Sequence, residues 1–352
     1  MADCPITQAA VAKALGLAQS TVSMALRNHP SISEARREEI KEAARNMGYH
    51  PNHTAVSLAR LKRKTERKGV HASIAWFNSW AKPERLRQFR EFDLYWQGAA
   101  AAANELGYRI EEYVVNEASL AASTERMLRA RGVEGILLCP GALPAGWDSF
   151  NWADFSVIRF SGPAHETEAS FRSVTSNQLG NTLLAMSRMR EKGYQRIGFA
   201  GIEGRARLFG AGFYWGLREV PEENRLPILL LPETSEKEWQ SVFENWLRQA
   251  APDAILTDVS LLPDLLAKAG RRIPQEMGMA TLNILDCPID AGIFPNPHEV
   301  GYTAMSMLGS LIETRSRGIP KNPSQLLIDG TWVDGQSLPI RTTGAEVSSA
   351  KE

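Results

Sequence analysis

This 352-residue chain has no long apolar run, only three cysteines and a net charge of zero. No run of about 18 apolar residues occurs, so the sequence offers no candidate membrane-spanning helix. The first residues lack the basic and apolar stretches of a secretory signal, which predicts a cytoplasmic protein without a membrane partner. The three cysteines, Cys4, Cys139 and Cys287, are too few and too scattered for a disulfide framework or a zinc site.

Catalytic motifs are missing as well. The sequence contains no Gly-x-Ser-x-Gly elbow and no phosphate-binding loop that ends in Gly-Lys-Ser/Thr. The glycines from Gly210 to Gly216 resemble a dinucleotide loop only faintly, because they fall inside a predicted helix rather than after a strand. The six histidines form no helix-spaced metal pair with a third ligand. We therefore predict no enzyme activity, no catalytic residues, no cofactor and no metal.

The net charge of zero conceals a basic front and an acidic body. Residues 1–68 contain 12 lysines and arginines against 6 aspartates and glutamates, a net charge of +6, and the rest of the chain contains 28 against 34, a net charge of −6. This uneven distribution of charge is typical of a small basic module that binds nucleic acid, joined to a domain that binds a different partner. A solvated basic tail would give the same charge, so charge alone leaves both possibilities open.

Residues 6–50 are predicted to form three short helices. The first covers Gln8–Leu15 after a cap at Thr7, the second covers Gln19–Leu26, and the third runs from a cap at Ser33 to Met47. Their spacing brings one set of apolar side chains to the inside of a helix–turn–helix: Val11, Leu15, Leu17, Val22, Ala25, Leu26, Ile40, Ala44 and Met47. With a short small-residue segment at 52–59, the predicted first domain covers residues 1–59, and a basic linker covers residues 60–70.

From residue 71 to residue 340 the pattern alternates between apolar strands and amphipathic helices. The first series has strands at 72–77, 109–115, 135–139 and 157–160, with helices at 92–106 and 119–131. The second series has strands at 196–200, 228–231, 254–257 and 277–282, with helices at 179–192, 206–220, 236–250 and 261–269. A long helix at 297–317 and late strands at 326–328 and 331–333 complete the pattern. Continuous apolar strands between helices predict two doubly wound parallel-sheet lobes, followed by a flexible tail at 341–352.

The second helix of the helix–turn–helix is the candidate reader of DNA bases. Gln19 and Ser20 lie at its amino end, where side chains reach base edges in the major groove, and Met24 one turn later offers apolar contact to a thymine methyl. Five polar residues suit phosphate contacts, which position the module without reading sequence: Thr7, Thr21, Ser23, Arg27 and Asn52. The alternative is a three-helix bundle whose polar face is adventitious.

Residues 6–59 closely resemble the DNA-binding headpiece of the lactose-repressor (LacI/GalR) family of bacterial transcription regulators. The resemblance includes the run Ser31-Ile-Ser-Glu-Ala-Arg-Arg-Glu-Glu-Ile and the ending Met47-Gly-Tyr-His-Pro-Asn52. The remainder, through about Val333, resembles more loosely that family's sensor domain, which has the fold of a periplasmic binding protein. One departure is Ala18, where the family usually has a serine, so the operator sequence does not follow from relatives.

The resemblance implies a hinge segment that binds the minor groove. The family's leucine wedge falls on Leu58, flanked by Ala55 and Ala59, and two such segments from a homodimer could push Leu58 between base steps. Ordinary hydrophobic packing of Leu58 is the alternative.

The resemblance also implies an effector site in the cleft between the two lobes, on Arg207 together with Asn78, Ser79 and Trp80 after the first strand. The aligned positions elsewhere are Ser176, Val259 and Asn283. These three bring no negative charge to Arg207, and a buried guanidinium without a partner is costly, so either the cleft stays wet or a ligand supplies the charge. An anionic sugar derivative is therefore predicted over a neutral sugar, and the alternative is that Asp258 or Asp286 approaches Arg207 in the fold. Arg207 in a surface ion pair and Trp80 as ordinary packing are the alternatives.

The predicted protein is thus a cytoplasmic homodimeric regulator, expected to be a repressor, which binds double-stranded operator DNA and a small-molecule effector. A solute-binding protein of periplasmic type is the rival, but that function needs an export signal and has no use for a helix–turn–helix. A regulator that acts without an effector is the third possibility.

Overall fold

The structure is a computed structural model, which describes residues 6–26, 29, 31–49, 72–116, 121–160, 170–204, 206–233 and 235–341. Several predictions fall outside these residues. They concern the linker at 60–70, the tail beyond residue 341, and five DNA-contacting residues: Arg27, Asn52, Ala55, Leu58 and Ala59.

Three helices form the headpiece: α1 (Gln8–Ala14), α2 (Gln19–Leu26) and α3 (Glu34–Asn46). Thr7 begins α1 as predicted, because its Oγ1 accepts the Ala10 N–H at 3.2 Å. Gly16, with φ of +64°, allows the sharp turn between α1 and α2, a backbone conformation that other residues adopt at a cost. The two predicted helices of the helix–turn–helix and the third helix are therefore confirmed to within one residue at each end.

The headpiece core contains the predicted apolar side chains. Val11, Val22, Ala25, Ile40 and Ala44 are buried, and the other predicted core residues pack against them in part. The Gln8 side chain donates to the Tyr49 hydroxyl at 3.0 Å and so connects α1 to the chain after α3. No single helix in the described ranges is long and apolar enough to span a membrane, although α1 and α2 meet that test together, across a bend of 111°.

The first sheet has the strand order β11-β5-β4-β3-β1-β2. Its strands are β1 (Ser73–Asn78), β2 (Arg109–Val114), β3 (Val133–Leu138), β4 (Ser156–Phe160), β5 (Arg172–Ser176) and β11 (Gln325–Ile328). Helices α4 (Arg90–Leu106) and α5 (Ala121–Ala130) connect the first three strands. The pairs β1–β2, β1–β3 and β3–β4 are parallel, as the continuous apolar strands predicted.

The second sheet has the order β12-β10-β9-β8-β6-β7. Its strands are β6 (Ile197–Ile202), β7 (Leu229–Leu231), β8 (Ala254–Thr257), β9 (Gly278–Thr281), β10 (Gly292–Phe294) and β12 (Thr331–Val333). The helices that follow α5 along the chain are α6 (Gln178–Glu191), α7 (Arg207–Gly216), α8 (Trp239–Ala250), α9 (Leu262–Lys268) and α10 (Pro297–Glu313), and α10 belongs to unit 1 from Tyr302 onward. Only β12 pairs antiparallel among the strand pairs that the structure describes in this sheet.

Contacts divide the chain into two compact units. Unit 1 contains Met1–Pro83, Gln97–Ser173 and Tyr302–Gln325, and unit 2 contains Glu84–Trp96, Val174–Gly301 and Leu326–Glu352. In unit 2 every residue of β6, β8 and β9 is buried, as expected for parallel strands that helices cover on both faces.

Two strands and three helix ends differ from the sequence predictions, and the first of these ends is that of the helix predicted over 297–317, which stops at Glu313. Strands β5 and β10 were not predicted, because β5 is polar at both ends and β10 has only three residues. The helix predicted over 206–220 is α-helical only to Gly216 and continues as a 3-10 turn over Leu217–Glu219. The helix predicted from residue 236 begins with a 3-10 turn and becomes α-helical at Trp239. Such tighter turns are common at helix ends, where side-chain periodicity does not distinguish them.

Two glycines of α7 test how closely α6 and α7 pack. A Cβ added at Gly212 would lie 2.7 Å from the Leu179 carbonyl oxygen of α6, whereas one at Gly210 meets nothing closer than 3.7 Å. We expect Gly212→Ala to lower the free energy of unfolding by about 1–3 kcal/mol, because the backbone of α6 must move. The matched control Gly210→Ala should raise it by about 0.5–1 kcal/mol, since alanine favours helix. Urea denaturation measures both, and equal effects of the two substitutions would contradict the packing.

Candidate functional site

The amino end of α2 presents polar side chains to solvent. Gln19 and Ser20 are exposed, whereas Val22 and Ala25 of the same helix are buried against α1 and α3. The helix therefore has one face in the headpiece core and an opposite face that carries the two predicted base readers. This exposure is what entry into a major groove requires.

Met24 is half-buried against the turn that follows α2. The Ser31 hydroxyl donates weakly to its Sδ at 3.8 Å, and the Ser31 Oγ also forms a hydrogen bond of 2.7 Å with His29 Nδ1. Thr21 and Ser23 are likewise half-buried, and Thr7 is exposed while its oxygen caps α1. The structure thus brings the described DNA-contact candidates together on one small module.

In unit 1 the connections from β1 and from β3 leave toward opposite sides of the sheet. β1 continues to β2 at one edge and β3 continues to β4 on the other side, so a crevice is expected where β1 and β3 end. Asn78 is the last residue of β1, and Ser79 and Trp80 follow it at this point. The Trp80 indole N–H donates to the Pro140 carbonyl after β3 at 2.7 Å.

Asn78 is fully buried, and both polar atoms of its side chain form hydrogen bonds within the protein. Its Nδ2 donates to the Pro83 carbonyl at 2.9 Å and to Glu112 Oε1 at 2.7 Å, and its Oδ1 accepts the Trp80 N–H at 3.1 Å. Asn78 therefore shapes the loop that carries Ser79 and Trp80. Ser79 and the Trp80 ring are half-buried, which leaves part of each side chain accessible.

The same reversal of connections occurs in unit 2 between β6 and β8, which lie side by side. β6 continues to β7 at the sheet edge and β8 continues to β9 on the other side, so a crevice is expected in this sheet too, where the two strands end. Arg207 follows β6 as the first residue of α7, Asp258 and Val259 follow β8, and Asn283 follows β9. Three of the four effector candidates in unit 2 thus lie at the same edge of the sheet.

Two of these residues correct the sequence analysis. Arg207 is exposed, so the premise that a buried guanidinium needs an anionic ligand is wrong, because water solvates the charge. Val259 is only 3% exposed and packs in the apolar core of unit 2, so its side chain offers no surface to a ligand. The fourth candidate, Ser176 at the end of β5, accepts the Asn181 Nδ2–H at 2.9 Å.

Sequence reasoning missed the group that contacts Asn283. The Asn283 Nδ2 donates to Glu91 Oε2 at 2.7 Å, and the Tyr95 hydroxyl donates to Glu91 Oε1 at 2.9 Å. Burial raises the pKa of the Glu91 carboxyl group, and the nearby Asp286 carboxylate raises it further, although the two hydrogen bonds act in the opposite direction. Glu91 and Asn283 are 192 positions apart, and no local pattern could have connected them.

Arg159 is a second residue that the sequence did not single out. It lies on β4 and is 2% exposed, and it donates to the Gly141 carbonyl oxygen at 2.7 Å. Gly141 also lies close to Ser79 and Trp80, so the buried Arg159 guanidinium holds a residue that packs against both of them. An arginine within the otherwise apolar run Ser156–Phe160 was the available signal.

Comparison with known proteins identifies the headpiece. A family model described as bacterial regulatory proteins, lacI family, matches residues 9–52. The NTD biosynthesis operon regulator NtdR of Bacillus subtilis (strain 168) is 22% identical over 194 residues, which cover 54% of this chain and 53% of that protein. The HTH-type transcriptional regulator AglR of Rhizobium meliloti (strain 1021) is 42% identical over 55 residues, 16% of this chain and 15% of that protein. The chain thus spans about half or less of these curated relatives.

Solved structures share the fold over most of the chain. The transcriptional regulator CelR in complex with cellobiose is 18% identical with a TM-score of 0.56, over 94% of this chain and 99% of that one. The lac repressor dimer bound to operator and the anti-inducer ONPF is 16% identical with a TM-score of 0.53, over 96% and 100%. Residues 9–52 thus match the lacI family of bacterial regulatory proteins, whose helix–turn–helix domain binds DNA, and the chain shares the fold of the CelR and lac repressor structures.

Proposed function

We propose that this protein is a repressor that binds a pseudo-palindromic operator as a homodimer and responds to a small sugar or sugar derivative. The observation that carries the proposal is the exposed pair Gln19 and Ser20 at the amino end of α2, within a domain that matches the lacI family. Two headpieces of a dimer would occupy half-sites one helical turn of DNA apart or a multiple of it.

Each base reader has a chemical role in this proposal. The Gln19 amide can make a bidentate hydrogen bond to adenine, the Ser20 hydroxyl can bond to several bases, and Met24 supplies an apolar contact to a thymine methyl. Thr7, Thr21 and Ser23 would bind phosphate, together with Arg27 and Asn52. Ala55, Leu58 and Ala59 would enter the minor groove as a hinge.

The effector would bind where the parallel strands end. In unit 1 the side chains proposed for it are those of Ser79 and Trp80, with Asn78 in a supporting role. In unit 2, taken by itself, they are those of Ser176, Arg207 and Asn283. Support comes from the crevices expected at these strand ends and from the sugar-bound relatives, one with cellobiose and a LacI-family regulator of Enterococcus faecium with ribose. A ligand that binds one conformation better than another would shift DNA affinity.

The first test is DNA binding by the full chain at several salt concentrations. Log K should fall linearly with log salt, by about 0.9 for each phosphate that the headpieces neutralise. A chain shortened to residues 69–352, whose net charge is acidic, serves as the control and should not bind. Equal binding of operator DNA by the two chains, measured by fluorescence anisotropy, would show that the headpiece is not the DNA-binding module.

The second test separates base reading from phosphate contact. We expect Gln19→Ala to cost about 1–3 kcal/mol on the preferred operator and to relax the preference at one base pair of each half-site. Arg27→Ala should weaken binding to operator and random DNA about equally, since a phosphate contact carries no sequence information. Binding measured on a set of single-base operator variants checks both. An equal loss on all DNA for Gln19→Ala would remove Gln19 from the base readers.

The third test concerns the hinge. Leu58→Ala should reduce operator affinity and DNA bending together, because both depend on unstacking a base step. Gel-shift assays with circularly permuted fragments report the bend, and circular dichroism confirms that the headpiece helices remain. A variant that still bends the operator fully would make Leu58 an ordinary packing residue.

A further inference from the structure

Met24 is in contact with the turn that follows α2 through both its backbone and its side chain. The His29 N–H donates to the Met24 carbonyl oxygen at 2.9 Å. The Ser31 Oγ lies 3.8 Å from the Met24 Sδ, and a thioether accepts a weak hydrogen bond from a hydroxyl group. The turn therefore folds back onto the residue that the proposed function assigns to a thymine methyl.

The Ser31 hydroxyl group is held in place by His29. Its Oγ forms a hydrogen bond of 2.7 Å with the His29 Nδ1, and the Ser31 backbone N–H donates to the same nitrogen at 3.2 Å. Since Nδ1 accepts the backbone N–H, it has no hydrogen of its own, and the Ser31 hydroxyl hydrogen has two acceptors within reach, Nδ1 and the Met24 Sδ. Two hydrogen bonds to one ring nitrogen thus determine where the Ser31 Oγ lies beside the thioether.

The turn is also joined to the headpiece core. The Ile32 N–H donates to the His29 carbonyl oxygen at 3.1 Å, and the Ile32 side chain packs against the buried apolar residues of the three helices. The backbone of His29 is therefore hydrogen-bonded to α2 through its N–H and to Ile32 through its carbonyl oxygen. Folding of the headpiece thus sets the position of Ser31 before DNA binds.

A methionine gains more from such support than other apolar side chains do. It is unbranched, has three rotatable bonds and adapts to surfaces of different shape. Ordering it costs more conformational entropy than ordering leucine or isoleucine. Met24 is half-buried, so the core does not restrict all of its rotamers. A contact with Ser31 lowers the cost of ordering and limits the places where the side chain meets a base pair.

We propose that Ser31 is a positioning residue for base reading, which holds the Met24 side chain so that it recognises one thymine methyl in each half-site. The inference rests on the proposed function, since it takes Met24 to be a base reader. Ser31 acts through Met24 and need not touch a base itself. The alternative role is a phosphate contact, which would strengthen binding to every sequence alike.

Ser33 supplies a matched control. It is a second exposed serine in the same segment, at the start of α3, and within the part of the chain that the structure describes its side chain makes no capping hydrogen bond. Ser33→Ala therefore removes the same hydroxyl group two residues away and leaves the contacts of Met24 intact. Ser31 is exposed as well, so Ser31→Ala does not disturb the headpiece core.

The experiment uses the full chain and double-stranded DNA. An operator is first selected from a randomised pool with wild type, and each thymine is then replaced, one at a time, by uracil, which removes only the methyl group. We expect wild type to bind about fourfold more weakly when one particular thymine of a half-site is replaced, the effect of about one buried methyl group. Ser31→Ala should reduce this factor to less than about twofold, because an unheld Met24 loses entropy when it orders on that methyl. Ser33→Ala should keep the wild-type factor. Fluorescence anisotropy measures Kd for each pair.

A double-mutant cycle separates the action through Met24 from any other effect of Ser31. Leucine has no thioether for the Ser31 hydroxyl group to contact. Whatever dependence on the thymine methyl the Met24→Leu variant shows, the addition of Ser31→Ala should therefore leave it unchanged. Circular dichroism confirms that the headpiece helices remain in every variant.

Three results would overturn the inference. They are a wild-type dependence on the methyl group in Ser31→Ala, an equal loss for Ser31→Ala on the selected operator and on random DNA, and a change of methyl dependence by Ser31→Ala in the Met24→Leu variant as large as in wild type. The first leaves the proposed function intact, and the second makes Ser31 a phosphate contact. Failure of wild type to select any operator refutes the proposed function itself, and uracil dependence that survives Met24→Ala removes Met24 from the base readers together with the role of Ser31.

Discussion

Parallel strand pairing is the constraint on which the rest of the two sheets depends. Strands that run in one direction need a crossover between them, and the crossover helices cover both sheet faces, so interior strand residues are mostly apolar, with Arg159, Thr257 and Thr281 among the exceptions. Polar side chains are then displaced to the strand ends, which all lie at one edge of the sheet. Asn78 at the end of β1 and Asp258 after β8 mark the positions where successive connections leave in opposite directions. The chemistry of each sheet is therefore confined to the few residues that follow these strands.

Local periodicity was sufficient to predict most elements. The helices of the headpiece, the strand at Ala254–Thr257 and the strand at Thr331–Val333 were predicted within one residue, because apolar spacing and capping residues act over a single turn or strand. Exposure of Gln19 and Ser20 also followed from the sequence, since Val22 and Ala25 determine which face of α2 is inside. The short strand β10 has too few residues to show a period, and it exists through pairing with β9 and β12.

The candidate effector site was predictable only in outline. That polar residues follow β1, β8 and β9 could be read from the chain, but their burial depends on contacts between distant segments. Arg207 was expected to be buried and is exposed, whereas Val259 was expected at the site and lies in the core. Successive side chains of an extended segment point to opposite sides, so a shift of one residue changes which side chain faces the site. The carboxyl group beside Asn283 comes from α4, and no pattern within either segment indicates their contact.

The charges of the effector site bear on how a ligand could affect DNA binding. A singly charged ligand at the candidate effector site would change the net charge of the acidic body by one unit. Across water and physiological salt one unit charge contributes about 1 kcal/mol at 4 Å and less at any greater distance. Coupling between two binding sites of a protein is typically about 1–3 kcal/mol. Charge alone is therefore too weak to connect the ligand to the headpiece, and regulation by an effector requires two conformations that the ligand binds with different affinity. The hydrogen bond from Asn283 to Glu91 joins the residues after β9 to the first turn of α4, and it is the kind of contact between distant segments that two conformations could hold differently.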